Sequence, residues 1–468
     1  MDLTAQKIAE AVGGELMAGN PMARAIGGSN DSRKILPGEL FFPLKGPHFD
    51  GHDFIRDALA KGAAGALVQR GEWTSTPPLD APDQFLIAVE NVFQALGDLA
   101  HFWRKQQKAK IIAITGSNGK TTTKEMTARI LMETFTVLKT EGNLNNLIGL
   151  PLMLLRLSPE HEVVVLEMGM SVPGEVRRLR EIAEPEVSLI TNIGHAHLEF
   201  LGDLEGVARA KGELWERLRP DDWIAINVDD PRVVELAAPA CCGKKTFGLL
   251  KEAEVRGEGL HLDPEVGIRF SLKMGGRKRS VGLATYGRHN VYNALAAATV
   301  AAILGMDLEE IAQGLEGFHP FPGRGQILQL RRNVRVLDDS YNANPDSLGA
   351  TLTAFAEMKG KNRGLVVLGD MLELGPGSPQ IHEEAGRRLG AMKLGPLFFL
   401  GEQAKFCAQG VKAAGAGEPQ IHLAQDPEQV LRALGKVIQE GDWILIKGSR
   451  RMRMERIVEG LKKQLGGI

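Results

Sequence analysis

Cysteines, long apolar runs and excess charge are all scarce in this chain of 468 residues. Its three cysteines are the adjacent pair Cys241 and Cys242 and the distant Cys407, which give neither a disulfide framework nor a metal-ligand spacing. A reducing cytoplasm is therefore the expected location. No segment approaches the ~20 apolar residues that span a bilayer, and residues 1–4 do not begin a basic leader. We expect neither export nor membrane insertion.

The charge balance excludes another class of partner. With 56 basic and 58 acidic side chains, the formal charge of −2 creates no field that would gather nucleic acid or anionic lipid. An anionic ligand must therefore be bound by a local site. The chain is 43% hydrophobic and 24% charged, as folded globular proteins are. Because single hydrophobic cores stop growing near ~250–300 residues, we expect two or three domains. We also expect the protein to be a monomer.

Three blocks of different texture divide the chain, and all three predict α/β structure. Residues 1–103 mix short apolar runs with turn-forming residues and predict a small α/β domain. Residues 104–322 alternate strand, turn and helix and predict a parallel sheet covered on both faces. Residues 323–468 repeat that alternation after a glycine-rich and proline-rich hinge and predict a Rossmann-like domain.

Apolar runs of strand length mark the individual strands of the second and third blocks. The second block has predicted strands at residues 111–114, 163–166, 187–190 and 224–228, a hairpin-like region at 255–283 and an alanine-rich helix at 294–304. The third block has predicted strands at residues 334–337, 365–368, 397–400 and 443–446.

The sharpest motif is Thr-Gly-Ser-Asn-Gly-Lys-Thr-Thr at residues 115–122, between the strand at 111–114 and a predicted helix. Glycines let backbone N–H groups turn around phosphate oxygens, Lys120 can reach the β- and γ-phosphates, and the Thr121 hydroxyl can ligate Mg²⁺. The predicted nucleotide-binding residues are Gly116, Ser117, Asn118, Gly119, Lys120, Thr121 and Thr122. An ordinary strand-to-helix turn is the alternative, and it would not require the lysine and threonines.

Three further positions are chemically rich, because ligands of parallel α/β sheets lie beyond the carboxyl ends of the strands. Glu167 follows the strand at 163–166 and could hold Mg²⁺; a solvated strand end is the alternative. His195 and His197 follow the strand at 187–190, although for either one alone a structural histidine is the commoner case. Lys211 is, by its spacing alone, most often a surface lysine.

Taken together, these residues resemble the Mur ligase family over nearly the whole chain. The family's phosphate loop is similar to residues 115–122, its magnesium glutamate to Glu167, its metal-site histidine to His195 and its carbamylated lysine to Lys211. The resemblance implies an ATP-dependent amide-bond ligase of cell-wall synthesis with Lys120, Glu167, His195 and Lys211 as catalytic residues. It also implies Mg²⁺ held by Thr121, Glu167, His195 and Lys211, with a carbamate on Lys211.

Other segments of the resemblance concern ATP. Residues 287–290 together with Asn293 resemble the adenine-side segment, and residues 323–325 resemble the family's linker. The resemblance implies that Asn290 contacts adenine, Arg324 the phosphates and Asp339 the ribose. These roles require the third domain to close over the second, which would exclude water from an acyl phosphate.

Within the family, three stretches resemble the member that adds D-alanyl-D-alanine to UDP-N-acetylmuramoyl-tripeptide, namely residues 141–146, 338–346 and 447–450. Residues 30–33 and 49–52 resemble a uridine-nucleotide-binding domain, which points away from the members that add the first two residues. The substrate-binding residues implied by the resemblance are Ser32, Arg33, Asn143, Asn145, Asn146, Tyr341 and Asn344. The chain departs from the family pattern at Arg451, where a smaller residue is frequent.

Several alternatives are weaker. The member that adds the third residue tends to carry Asp-Tyr-Ala-His-Thr-Pro-Asp, which does not occur here. Folylpolyglutamate synthase has a related core but lacks a separate amino-terminal domain. A P-loop switch would need a guanine motif or an arginine finger, and a non-catalytic UDP-sugar-binding protein would leave the phosphate loop unexplained. Whether the third residue of the tripeptide is lysine or diaminopimelate stays open.

Overall fold

The structure is a computed structural model that describes residues 1–72, 79, 81–263, 267–392, 394–415 and 420–466. Three successive α/β regions of the chain each contain a main sheet, which confirms the predicted fold class. Among the described residues, no helix is long and apolar enough to cross a membrane.

The first region contains a five-stranded sheet in which short strands pair in parallel and one edge strand is antiparallel. Its elements are β1 (Asp2–Thr4), α1 (Ala5–Val12), β2 (Glu15–Gly19), β3 (Arg24–Ile26), β4 (Gly28–Ser29), β5 (Leu40–Phe41), β6 (Lys45–Gly46), β7 (Phe49–Asp50), α2 (Ile55–Ala60), β8 (Gly65–Gln69), β9 (Phe85–Val89) and α3 (Val92–Lys105). The strand order is β2-β9-β8-β5-β4. The small α/β domain expected here is therefore confirmed in its class.

The second region supplies a nine-stranded sheet. Its elements are β10 (Lys110–Thr115), α4 (Lys120–Leu131), β11 (Val137–Lys139), α5 (Gly149–Leu155), β12 (Val163–Glu167), α6 (Glu175–Ala183), β13 (Val187–Ile190), α7 (Leu198–Leu201), α8 (Leu204–Gly212), β14 (Trp223–Asn227), α9 (Pro231–Ala237), β15 (Gly243–Gly248), β16 (Val255–Asp263), β17 (Gly267–Met274), β18 (Arg277–Leu283), α10 (Arg288–Ile303) and α11 (Leu308–Glu316). The strand order is β11-β12-β10-β13-β14-β15-β16-β17-β18.

All four strands predicted in this region exist, and β10, β11 and β12 pair in parallel as expected. The hairpin-like region is a set of three antiparallel strands, β16 to β18, at one edge of the sheet. Residues 264–266 of that region lie outside the described residues. The alanine-rich helix begins earlier than predicted, at Arg288, because the family-like segment before it is already helical.

The third region folds around a six-stranded sheet in the order β19-β20-β24-β21-β22-β23. Its elements are β19 (Gln326–Leu330), β20 (Val334–Asp339), α12 (Pro345–Lys359), β21 (Gly364–Gly369), α13 (Ser378–Ala391), β22 (Leu397–Leu400), α14 (Ala404–Ala413), β23 (Ile421–Ala424), α15 (Pro427–Val437), β24 (Trp443–Lys447) and α16 (Glu455–Leu465). Its strands pair in parallel except for β19, which is antiparallel to β20.

Both faces of this third sheet are buried. Along β21, Val366 and Leu368 belong to one apolar cluster, whereas Leu365 and Val367 belong to another. Because successive side chains of a strand point to opposite faces, the two clusters lie on opposite sides of the sheet. This two-sided burial confirms the Rossmann-like class.

The chain forms two compact units. One comprises Met1–Thr115, Thr134–Ser188 and Glu216–Asp222, and the other comprises Gly116–Glu133, Leu189–Trp215 and Trp223–Ile468. The domain ranges 1–103, 104–322 and 323–468 stay a prediction.

Candidate functional site

The loop between β10 and α4 depends on two glycines with unusual backbone angles. Gly116 has φ 144° and Gly119 has φ 82°, a region of φ that residues with a Cβ rarely adopt. A Cβ on Gly116 would collide with the Thr191 hydroxyl, and a Cβ on Gly119 with the Asn293 side chain. Larger residues are therefore excluded at both positions.

Polar residues that follow β13 hold this loop in place. The carbonyl of Asn118 accepts hydrogen bonds from the Thr191 hydroxyl (2.6 Å) and from the Asn192 amide (3.1 Å), and the Asn118 N–H donates to Asn192 Oδ1 (3.0 Å). The Ser117 hydroxyl donates to the carbonyl of Gly194 (2.9 Å). The loop is thus fixed by the segment that leaves the neighbouring strand, and its shape is set before a ligand binds.

Two lysines bring positive charge to the same place. Lys120 begins α4, and its ammonium group donates to the carbonyls of Gly116 (2.7 Å) and Ser117 (3.3 Å). Lys211 lies in α8 with 1% of its surface exposed. Burial lowers the pKa of Lys211 well below its usual value, and the nearby Lys120 charge lowers it further. This environment favours a bound anion or a neutral Lys211 amine.

Glu167 is the last residue of β12 and is 3% exposed. Its Oε1 accepts a hydrogen bond from the Asn145 amide (2.7 Å), and its N–H donates to the Thr140 hydroxyl (3.0 Å). Its Oε2 is buried and has no hydrogen-bond donor among the described residues. A buried carboxylate oxygen without a partner is costly, so this oxygen is suited to a cation.

Of the four predicted Mg²⁺ ligands, two, Glu167 and His195, belong to the residue types His, Cys, Asp and Glu that most often form metal sites. Among the residues that the structure describes, no group of three or more His, Cys, Asp or Glu side chains could hold a metal ion together. The predicted Mg²⁺ site at Glu167 and His195 would therefore need further oxygen ligands from hydroxyl, phosphate or modified-lysine groups.

Three side chains of the third region contact the loop and the histidine segment. Asp346 accepts from the backbone N–H of His195 (2.6 Å) and faces its ring Nδ1 (3.2 Å). Glu373 lies 2.6 Å from Nδ1 of His197. Asn344 donates to Oδ1 of Asn118 (2.8 Å). Residues more than 140 positions apart in the chain are thereby brought to one place.

The linker contributes Arg324. Its guanidinium donates to the Thr121 hydroxyl (3.0 Å) and lies over the ring of Tyr341, 3.9 Å from the ring centre. Stacking on an aromatic face orients the planar guanidinium group while leaving N–H donors free for an oxyanion. Thr122 lies next to Thr121 in the first turn of α4 and is half-buried.

The residues expected on the adenine side, Asn290 and Asn293, are buried in a hydrogen-bonded cluster at the start of α10. The Asn290 amide donates to the Thr285 hydroxyl (3.0 Å) and the Tyr286 carbonyl (2.8 Å), and its Oδ1 accepts from Asn293 (3.0 Å). Asn293 also accepts from the hydroxyl of Thr123 in α4 (3.2 Å). This cluster ties the first turn of α10 to the helix that carries the phosphate loop.

Asp339 ends β20 and is already engaged by protein groups. Its Oδ2 accepts from the Lys447 ammonium (2.5 Å) and the Thr351 hydroxyl (2.7 Å). Burial raises the pKa of Asp339, but the Lys447 charge and these hydrogen bonds outweigh burial and hold the pKa below its usual value. The carboxylate is therefore ionised, and Oδ1 is the oxygen that remains for a ligand.

Three family models match successive parts of the chain. The model described as the catalytic domain of the Mur ligase family matches residues 28–104, the Mur ligase middle domain matches 114–301, and the glutamate ligase domain of Mur ligases matches 323–450. The UDP-N-acetylmuramoyl-tripeptide–D-alanyl-D-alanine ligase of Bacillus subtilis (strain 168) is 35% identical over 461 residues, which cover 98% of each chain. The chain belongs to the Mur ligase family.

Solved structures of Mur ligases agree with this assignment. A crystal structure of MurF from Acinetobacter baumannii superposes with a TM-score of 0.88 at 33% identity and covers 99% of both chains. The MurF ligase from Thermotoga maritima, solved in complex with ADP, gives a TM-score of 0.82 at 29% identity and covers 94% of this chain and 97% of its own. The chain is thus an enzyme of a ligase family.

The residues implied for substrate binding lie in different settings. Ser32 is buried and its carbonyl accepts from Lys61 (2.9 Å), whereas Arg33 is exposed and pairs with Asp31 (2.8 Å). Asn143 is exposed. Asn146 accepts a hydrogen bond from the Gly149 N–H in the first turn of α5 (2.8 Å). The Asn146 side chain therefore has a structural role in this Mur ligase.

Sequence reasoning missed several residues of the site. Thr191 and Asn192, whose side chains hydrogen-bond to the phosphate loop, were not among the predicted site residues, although their position after a strand end was an available signal. Asp346 belongs to a stretch that resembles the family, but nothing in its spacing predicts a contact with His195. Glu373 had no sequence signal, since its partner lies 176 residues away.

Proposed function

We propose that this Mur ligase joins D-alanyl-D-alanine to UDP-N-acetylmuramoyl-tripeptide and converts ATP to ADP and phosphate. The observation that carries the proposal is the similarity along 98% of both chains to a ligase of that name in Bacillus subtilis. The preformed glycine loop at the end of β10 supports the use of ATP, since its geometry suits phosphate oxygens.

The chemistry starts from a difficulty, because a carboxylate does not react with an amine at neutral pH. In the proposed reaction an oxygen of the tripeptide's terminal carboxylate attacks the γ-phosphorus of ATP, and ADP leaves. The amine of D-alanyl-D-alanine then attacks the carbonyl carbon of the acyl phosphate, loses a proton and displaces phosphate. Lys120, which begins α4, is proposed to stabilise the charge of the transferred phosphoryl group, because electrostatics dominate catalysis of such transfers.

Mg²⁺ fits the residues that this chain provides. The unpartnered Oε2 of Glu167 is an anionic oxygen of the kind that Mg²⁺ prefers, and Thr121 and His195 are the further proposed ligands. When bound, Mg²⁺ neutralises charge on the phosphate oxygens. The protein's own part is to hold these side chains and to exclude water.

The environment of Lys211 supports the proposed carbamate. A neutral amine adds CO₂ and loses a proton, which gives an anionic carbamate oxygen pair. Burial and the nearby Lys120 charge both lower the pKa of Lys211, so the neutral, reactive form is favoured. Once carbamylated, Lys211 would be an anionic oxygen ligand beside the Lys120 cation.

The remaining roles are proposed from the resemblance to the family. Asn290 is proposed for adenine, Arg324 for phosphate and Oδ1 of Asp339 for the ribose. Tyr341, Asn344, Asn143, Asn145 and Asn146 are proposed for the peptide substrates, and Ser32 and Arg33 for the uridine nucleotide. Contacts of Arg324 and Asn344 with the phosphate loop support the enclosure of ATP by the third region.

The test is the mass of the product formed from each pair of substrates. UDP-N-acetylmuramoyl-tripeptide with D-alanyl-D-alanine should give the pentapeptide, and a single amino acid should not replace the dipeptide. The Lys120→Ala variant should bind the uridine nucleotide normally but form no product. Extension of a UDP-N-acetylmuramoyl-dipeptide by lysine or diaminopimelate would instead identify the ligase that adds the third residue.

A further inference from the structure

The ring of His195 is only partly covered by the protein, so packing does not decide its orientation. Its side chain is 46% exposed. Among the residues that the structure describes, the ring has one hydrogen-bond partner, the carboxylate of Asp346, and Nδ1 lies 3.2 Å from each carboxylate oxygen. A polar contact therefore holds this ring, rather than a packed cavity.

The same carboxylate also fixes the backbone that carries the ring. The Gly194 N–H donates to the Ser117 hydroxyl (2.8 Å), and the next N–H, that of His195, donates to Oδ2 of Asp346 (2.6 Å). A Cβ on Gly194 would lie 2.4 Å from this oxygen, so the carboxylate can approach only because position 194 is a glycine. Asp346 thus contacts both the main chain and the ring of one residue.

Asp346 is itself held in place by the start of α12. It lies in the first turn of that helix, beside Asn344, which caps the helix by accepting from the Ser347 N–H (2.8 Å). The Asn344 N–H donates in return to the Ser347 hydroxyl (3.1 Å). Asn344 also donates to Oδ1 of Asn118 in the phosphate loop (2.8 Å). The turn that carries the carboxylate is therefore anchored to the phosphate loop.

We propose that Asp346 is a positioning residue that fixes the tautomer of His195 and leaves Nε2 free to bind a metal ion. An ionised carboxylate only accepts hydrogen bonds, so the proton of a neutral His195 ring is on Nδ1, the nitrogen that faces Asp346. The lone pair is then on Nε2, as a metal ligand requires. This role of Asp346 rests on the proposed function, in which His195 is a ligand of Mg²⁺.

Nitrogen-15 NMR of the full chain with ring-labelled histidine measures the tautomer without substrates. At pH 8.5, where imidazoles are ordinarily neutral, the His195 signals should be those of the Nδ1–H form, and their loss in His195→Gln assigns them. Asp346→Asn keeps an oxygen for the backbone N–H but places an NH₂ donor beside Nδ1, so the Nδ1–H form should lose its predominance. Asp346→Ala should lose it as well, because the acceptor is gone.

Glu373→Gln is the matched control, because it makes the same kind of change at the carboxylate that contacts Nδ1 of His197 (2.6 Å). It should alter the His197 signals and leave the His195 tautomer as it is. The side chain of Asp346 is 42% exposed, so its replacement opens no cavity and both Asp346 variants should fold.

A second measurement concerns the metal ion. Hydrogen bonds that orient a metal ligand change metal affinity by about 10–100-fold, so Asp346→Asn should need at least tenfold more Mg²⁺ for half-maximal ligation, with an unchanged KM for the UDP-linked tripeptide. In a His195→Ala background, Asp346→Asn should have no further effect. An Nδ1–H form that persists in both Asp346 variants, or an unchanged Mg²⁺ requirement, would overturn the proposal. Absence of ligation by the unchanged chain would instead count against the proposed function, because the tautomer is measured without it.

Discussion

The buried pair of Lys447 and Asp339 gives a prediction about stability that can be measured without substrates. Lys447 ends β24 and Asp339 ends the neighbouring β20, and the two are register partners in the parallel sheet. Their side chains are 2% and 17% exposed, and 2.5 Å separates Lys447 Nζ from Asp339 Oδ2. Lys447→Met keeps the length and apolar character of the side-chain stem but removes the ammonium group.

The expected cost follows from what the substitution leaves behind. Asp339 would remain buried and, within the described part of the chain, only Thr351 would still donate from a side chain to Oδ2. The Asn342 carbonyl would also lose its Lys447 donor (3.0 Å). Breaking a buried ion pair by removing one partner costs about 3–5 kcal/mol. We therefore expect Lys447→Met to lower the free energy of unfolding by about 3–5 kcal/mol at pH 7.

The pH dependence has a definite sign. Because the folded pKa of Asp339 lies below its ordinary value, the stability from its ionised form is present at neutral pH and is lost as the pH falls through the folded pKa. In Lys447→Met the unpaired buried carboxyl takes up a proton more readily. The difference between the two proteins should therefore be smaller at pH 4.5 than at pH 7.

Urea denaturation followed by circular dichroism measures this difference. The control is the double variant Lys447→Met with Asp339→Asn, which removes both charges at similar volume. Its loss of stability should be clearly smaller than the sum of the two single losses, since each single variant leaves one unpaired group. Additive losses, or a Lys447→Met loss below about 1 kcal/mol, would refute the view that this pair is mutually compensated.

Two further predictions concern activity. Lys211→Ala should be nearly inactive. Short-chain carboxylates should restore part of its ligation rate, because they can supply the anionic oxygens of the proposed carbamate. An equal response of Lys120→Ala to the same carboxylates would contradict this explanation. Glu373→Gln should lower ligation about fivefold without weakening ADP binding, since the partly exposed hydrogen bond between Glu373 and His197 (2.6 Å) is worth about 1 kcal/mol. Steady-state rates and ADP titration measure the two effects, and unchanged rates would exclude a role for this contact.

Much of the architecture was accessible from the sequence because local patterns control it. The apolar runs at β10, β12 and β21 are buried on both faces, so each run matches a strand in length and place. The phosphate loop could also be predicted, because its glycines allow the backbone angles that the local turn requires. The start of α10 was misjudged by six residues because Arg288 and His289 carry no apolar periodicity.

The long-range contacts of the candidate site could not be predicted from the sequence. His195 and Asp346 lie 151 residues apart, and His197 and Glu373 lie 176 apart. Such pairs depend on how the third region packs against the segment that carries His195 and His197. Packing of this kind produces no recognisable residue spacing in the sequence. The sequence offered a structural role and, by resemblance, a metal-site role for His195, and neither predicted Asp346 as its partner.

Two buried lysines of this chain show why burial alone does not identify a functional residue. Lys447 and Lys211 are both buried, and the spacing of Lys211 alone did not distinguish it from a surface lysine. Lys447 has a carboxylate within 2.5 Å, so its charge is compensated inside the protein and its position needs no ligand to explain it. Lys211 has no carboxylate partner among the described residues. The charge that lowers its pKa is the cation of Lys120. A buried amine beside a second cation is stable only if it is neutral, modified or opposed by a bound anion. The proposed carbamate of Lys211 is the modified form among these three, whereas the ion pair of Lys447 explains its burial without a ligand or a modification.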